Sequence, residues 1–414
     1  MTLFWLFFVL FILLGEFLVQ SAASLLNLRA LEHQVPELFQ KVIDKEEYAK
    51  SQDYTRATIQ FSLCQETLLL VIIIGFLLGG GFPFLDGLAQ HLGQGPISTG
   101  LIFIASLLLL IGLLNLPFSL YSTFVIEEQF GFNNTTLTTF LLDQLKIILL
   151  SFFLGIPLLS LILWFFESTG DMAWVYCWLC VCLFSIVLQL LAPVLILPLF
   201  NKFTPIGDEV LKNSIMAYCK KESFQLQGIY TMDGSKRSSK LNAFFTGFGR
   251  FKKIVFYDTL IQKLSDAEIV SVLAHEMGHY KHHHLYKQLV LSIGQSALLF
   301  YILSLMLGNV SLAQAFGLNQ PSTYTSLVIF TFLYTPINLL LNCFTNFLSR
   351  QYEFQADLYA HTSITSDQAL LEALKKLSKA NLSNLTPHPF YVFLHYSHPP
   401  VTKRIKQLMQ YQLP

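Results

Sequence analysis

Seven apolar runs, each able to cross a hydrocarbon layer of about 30 Å, punctuate this chain of 414 residues and leave a helical membrane protein as its expected class. They fall at Leu3–Val19, Thr67–Phe84, Ile97–Leu116, Ile147–Phe166, Met172–Phe200, Leu289–Leu307 and Ser326–Leu348. Composition agrees: 53% of residues are hydrophobic, 13% are charged and 38 are Phe, a balance too apolar for a water-soluble domain of this size. No basic residue precedes the first run and no small-residue cleavage site follows it, so it reads as a retained helix instead of a signal peptide.

Charge is informative here by position, because cytoplasmic loops collect Lys and Arg. With the first span running outside to inside, all 26 Lys and Arg fall in residues 20–66, 117–146, 201–288 and 349–414. The opposite loops, 85–96, 167–171 and 308–325, hold none. An even span count would destroy this separation, so the pattern supports both the count and the orientation. Formal net charge is zero, which leaves no field to gather nucleic acid. Cys177, Cys180 and Cys182 share one apolar run, where thiols behave as small hydrophobes, so the Cys177-x-x-Cys180 spacing is not read as a metal or redox site. The chain therefore divides into spans one to five (1–200), a polar segment (201–288), spans six and seven (289–348) and a polar tail (349–414).

The polar segment holds the chemistry. Ser265 to Glu268 has the form of a capping box opening an amphipathic helix, and His275-Glu276-Met277-Gly278-His279 lies on it. Residues four apart on a helix are neighbours, so both imidazoles can reach one ion, with Glu276 beside them as a general base acting on water. A catalytic zinc takes three protein ligands and keeps a fourth position open. The longer motif with a Gly and a third His is absent, since His282 and Leu285 occupy those positions. Only Glu353 and Glu372 follow Glu276, and Glu372 sits beside Lys375 and Lys376 on an ordinary solvated helix face. Glu353 is therefore the expected third ligand. Asp357, one turn on, would serve the outer nitrogen of a ligating His or stand near the leaving group. His282, His283 and His284 are read as interfacial polar residues, although His283 would share a helix face with His279. Residues 242–248 and 253–257 read as a hairpin, which either takes a peptide along its free edge or merely covers the zinc helix.

Five segments together resemble the CAAX prenyl protease 1 family of integral-membrane zinc peptidases. They are Asn242–Phe248, Val255–Leu260, His275–His279, Ser349–Asp357 and His395–Pro400, in that order along the chain. The resemblance implies a mainly α fold, with seven membrane helices around a chamber and a gluzincin-type zinc protease domain facing it from the cytoplasmic side. It implies one zinc ion, removal of a C-terminal tripeptide from prenylated CAAX proteins or peptides, Asn242 and His398 near the scissile bond, and Arg404 close by. On that reading His398 and Asn242 would stabilise an oxyanion. Two departures stand out. Phe244 and Thr246 replace tyrosines usual in the family, and only a short connection separates Leu260 from Ile269, where eukaryotic relatives often carry an insertion. The compact form resembles bacterial members, which favours a bacterial inner membrane over the endoplasmic reticulum. In a host without protein prenylation, the expected role becomes quality control of membrane proteins. The rival from another class is a transporter or scaffold with structural zinc, against which the spans lack the paired charges of an ion path.

Overall fold

The computed structural model describes residues 1–246, 253–364 and 367–411. Among them, seven helices are long and apolar enough to span a membrane: Thr2–Arg29, Lys45–Leu78, Pro96–Glu127, Leu137–Ser168, Gly170–Phe200, His284–Met306 and Thr323–Ser363. Several run well past the apolar stretch that announced them, because a helix's hydrogen-bond ladder does not stop where hydrocarbon ends. The second span departs from expectation at its far end. The chain breaks at Gly79-Gly80, where Gly80 adopts φ +77°, a left-handed conformation natural to glycine. Phe82 and Phe84 therefore belong to a separate helix, Gly81–Leu92, and Phe82 is buried with its ring centroid 5.1 Å from that of Phe316.

Outside the spans, a mixed four-stranded sheet forms from β1 (Phe203–Pro205), β2 (Gly228–Met232), β3 (Ala243–Thr246) and β4 (Lys253–Tyr257), in the order β1-β2-β4-β3. β1 pairs antiparallel with β2, β2 parallel with β4, and β4 antiparallel with β3. The hairpin expected from sequence is the β3/β4 half of this sheet; its connection, 247–252, lies outside the described residues. β1 and β2 are too short to carry a clear alternating pattern, so sequence did not announce them.

One hydrophobic core joins the sheet to the helices around it. Ile229, Ile254 and Phe256 meet Leu211 and Ile215 of helix Glu209–Lys221, and Leu273 and Met277 of helix Asp266–Lys281. Leu370 and Leu374 from helix Asp367–Ala380 and Ile405 and Leu408 from helix Val401–Tyr411 close it. The seventh membrane helix is the structural link. Its 41 residues make a rod about 60 Å long, whose last turns leave the apolar run and enter this core.

Candidate metal centre

Helix Asp266–Lys281 begins where Glu268 Oε2 accepts the Ser265 backbone N–H at 2.7 Å, tying up an amide the helix itself leaves unpaired. Its apolar residues Ile269, Leu273, Ala274 and Met277 enter the core and orient the helix, which fixes where His275, Glu276 and His279 emerge. Gly278 sets the distance to the seventh membrane helix. A Cβ there would stand 2.8 Å from Ala356 Cα and 3.0 Å from its carbonyl oxygen, so the two helices touch backbone to backbone. Ala356 lies between Glu353 and Asp357, and the close approach brings both carboxylates onto the imidazoles.

Three side chains converge as a result. The Nε2 atoms of His275 and His279 are 3.2 Å apart, His279 Nε2 is 3.2 Å from Glu353 Oε1, and His275 Nε2 is 3.4 Å from Glu353 Oε2. These three residues form a group able to hold a metal ion. A tetrahedral zinc with bonds of 2.0–2.2 Å separates its ligand atoms by about 3.3 Å, so the spacing suits that ion. The electrostatics also call for a cation. Burial and Arg404 push the His275 pKa down, yet bonds to Asp357 and Glu353 outweigh them and push it up to about 9. A cage that draws a proton onto an imidazole against its own burial is one that favours positive charge.

A second layer holds these three side chains. Asp357, 2% exposed, places Oδ1 2.9 Å from His275 Nδ1, the first of the two positions considered for it. Arg404 clamps Asp357 with Nε donating to Oδ2 at 2.8 Å and Nη2 to Oδ1 at 2.6 Å, and its Nη1 lies 3.2 Å from Glu353 Oε2. Burial would lower the Arg404 pKa, but Asp357 and Glu353 more than offset it, so the guanidinium remains charged. Glu372 stays outside the centre, bound to Lys375 at 2.9 Å.

Glu276 is not among the three converging side chains. It stands in a wall shared by two cavities, of about 500 Å³ and about 390 Å³. Burial raises its pKa above the ordinary carboxylate range, with Glu353 adding to the rise and the two imidazoles opposing it. Asn242 and His398 line the larger cavity with it. Asn242 immediately precedes edge strand β3, and His398 Nε2 lies 3.2 Å from Glu353 Oε1. The turn carrying His398 is fastened from the seventh membrane helix, where Arg350 Nη1 donates to the Tyr396 carbonyl at 2.6 Å.

The histidine triplet is where sequence reasoning fell short. The helix ends at Lys281 and His283 adopts φ +58°, so His284 comes back to the metal-ligand group instead of His283. Its Nδ1 lies 3.0 Å from His279 Nδ1. A histidine five residues beyond the motif was visible in the sequence, but the turn that redirects it was not.

Seven membrane helices and a His-His-Glu group backed by a buried carboxylate, with Glu276 alongside, fit a membrane metalloendopeptidase. The comparisons with known proteins agree. Residues 24–202 match the family model described as CAAX prenyl protease N-terminal, five membrane helices, and residues 206–412 match that of peptidase family M48. A CAAX prenyl protease 1 homolog of Oryza sativa subsp. japonica is 36% identical, with 90% of each chain covered. The Homo sapiens homolog is 35% identical over 91% of this chain and 88% of its own. The crystal structure of S. mikatae Ste24p superposes with a TM-score of 0.93 at 32% identity, covering 98% of this chain and 99% of that one. The chain belongs to the CAAX prenyl protease 1 family. It is a metalloprotease embedded in the membrane by several helices, not a transporter or scaffold.

Proposed function

We propose that this protease holds one zinc ion per chain on His275, His279 and Glu353 and cleaves the C-terminal tripeptide from prenylated CAAX polypeptides. Its relatives carry the CAAX prenyl protease name, and the observation that best supports the site is the convergence of three side chains, His275, His279 and Glu353, with nearest polar atoms 3.2–3.4 Å apart and Glu276 alongside. Residues 201–288 and 349–414 form the catalytic part, borne on the spans in 1–200 and 289–348. The Lys and Arg distribution supports a cytoplasmic position for that part, and the short Leu260–Ile269 connection favours a bacterial inner membrane.

Bound zinc supplies Lewis acidity at the scissile carbonyl and makes water a better nucleophile. Glu276 takes the proton of the attacking water and delivers it to the leaving amine, a task suited to a carboxylate whose pKa burial has raised. His398 and Asn242 line the cavity, and an N–H donated by either to the substrate would stabilise the charge developing on the carbonyl oxygen. Asp357, held by Arg404, orients His275. The free edge of β3 accepts the substrate backbone as an added strand, which suits varied sequences.

The compact connection that favours a bacterial host also favours a second reading, a membrane-protein quality-control protease with no prenyl requirement. Cleavage of a farnesylated peptide against its unmodified twin separates the two. The first reading predicts a strong preference for the prenylated peptide, and equal rates overturn it.

A further inference from the structure

We propose that His284 is a positioning residue for the metal centre, which fixes the tautomer of His279 so that the Nε2 lone pair of His279 faces His275 and Glu353. The inference rests on His279 being a metal ligand. It follows from a chain of three hydrogen-bonding groups. His284 Nε2 lies 2.9 Å from Gln355 Oε1, an acceptor, so Nε2 carries the His284 proton. The other ring nitrogen, Nδ1, is then an acceptor, and at 3.0 Å it takes the Nδ1–H of His279. His279 Nε2 is left without a proton, 3.2 Å from both His275 Nε2 and Glu353 Oε1. A metal-ligating imidazole needs this second partner to set its orientation and basicity. His275 has a carboxylate for the purpose and His279 has a neutral imidazole instead.

The surroundings hold the His284 ring in place independently of any bond to His279. His284 is 2% exposed and lies flat against Tyr352, with centroids 4.2 Å apart and planes 14° from parallel, while the His282 ring lies on it at 5.6 Å. Tyr352 and Gln355 flank Glu353 on the same helix, so one element carries both a ligand and the support of the opposite ligand. The backbone is strained to achieve this. His283 takes a left-handed conformation, φ +58°, that a residue with a Cβ adopts at an energetic cost.

A plain packing role for His284 makes the opposite prediction from a tautomer-setting one, and two substitutions tell them apart. His284→Phe keeps an aromatic ring on Tyr352 but removes the acceptor. His284→Asn loses the stack but can present an amide oxygen where Nδ1 stood. The zinc dissociation constant of the purified full chain in detergent is measured by competition with a chromophoric chelator, alongside thermal unfolding of the metal-free protein. His284→Phe is expected to bind zinc about 10-fold to 100-fold more weakly, with metal-free unfolding unchanged, and His284→Asn to stay near wild type. Wild-type affinity in His284→Phe, or equal weakening in both variants, overturns the proposal. Gln355, exposed on its helix, supplies a pair that spares the core. Gln355→Leu should weaken zinc binding and Gln355→Glu should not, and equal affinities in these two also overturn it. His279→Ala runs as the control: if it retains zinc, the ligand assignment itself is wrong, whatever His284 does.

Discussion

Arg404 sits 12% exposed among Asp357, Glu353 and His275, and its charge is what lets two buried carboxylates stand one helical turn apart. Arg404→Leu leaves both carboxylates under-compensated. The expected cost is about 3–5 kcal/mol, read as a lowered denaturation midpoint of the metal-free protein. Arg404→Lys keeps the charge but loses the two-pronged grip on Asp357, so it should recover only part of that stability. Equal stability of wild type and Arg404→Leu would remove the guanidinium from this account. At the same scale, Glu353→Ala should lose bound zinc and Glu372→Ala should keep it, as elemental analysis of the purified variants would register. Zinc retained after Glu353→Ala would displace the proposed third ligand. Sequence alone singled out the two imidazoles and Glu353, because helical spacing and the scarcity of later glutamates constrain them. His284 escaped it, because its contact with His279 depends on a left-handed turn at His283 that no propensity announces.

The contact of helix Asp266–Lys281 with the last turns of the seventh membrane helix decides the geometry of the centre. Gly278→Ala inserts a methyl group 2.8 Å from a backbone atom, which no side-chain rotation relieves. The helices must separate, at about 1–3 kcal/mol, and zinc affinity should fall although no ligand has changed. Wild-type affinity in that variant would show that the approach is not critical. The start of the same helix gives a pH signature. Burial raises the Glu268 pKa, but bonds from Lys376 and from Ser265 more than reverse this and hold it below the ordinary carboxylate range. A folded pKa below the unfolded one means that the group stabilises the fold above the unfolded value and ceases to do so as pH falls through the folded one. Glu268→Gln should therefore be less stable than wild type at neutral pH, with the gap closing under acid. A gap that persists under acid would assign the effect to something other than ionisation. Element boundaries were partly legible. Hydropathy marked the apolar centres of the spans, but it could not see helices continuing into polar sequence, or the glycine break that ends the second span at Leu78.

Across the whole molecule, a membrane helix ends inside a soluble-type core, so the seventh span and the centre share one continuous helix. The Lys and Arg pattern behind the proposed orientation gives it a direct test. A tag placed within 308–325 should be reachable only from the non-cytoplasmic side, and one after Pro414 only from the cytoplasm. Accessibility of both tags from one side would contradict the proposed orientation. The central claim is that Glu276 moves a proton beside a metal it does not hold, and Glu276→Gln tests it most directly. The amide keeps the size of the side chain but cannot accept the proton from water. Purified Glu276→Gln should retain zinc and bind a farnesylated peptide, while its cleavage rate drops about 10²-fold to 10⁴-fold. Near-normal cleavage with zinc still bound would contradict the account.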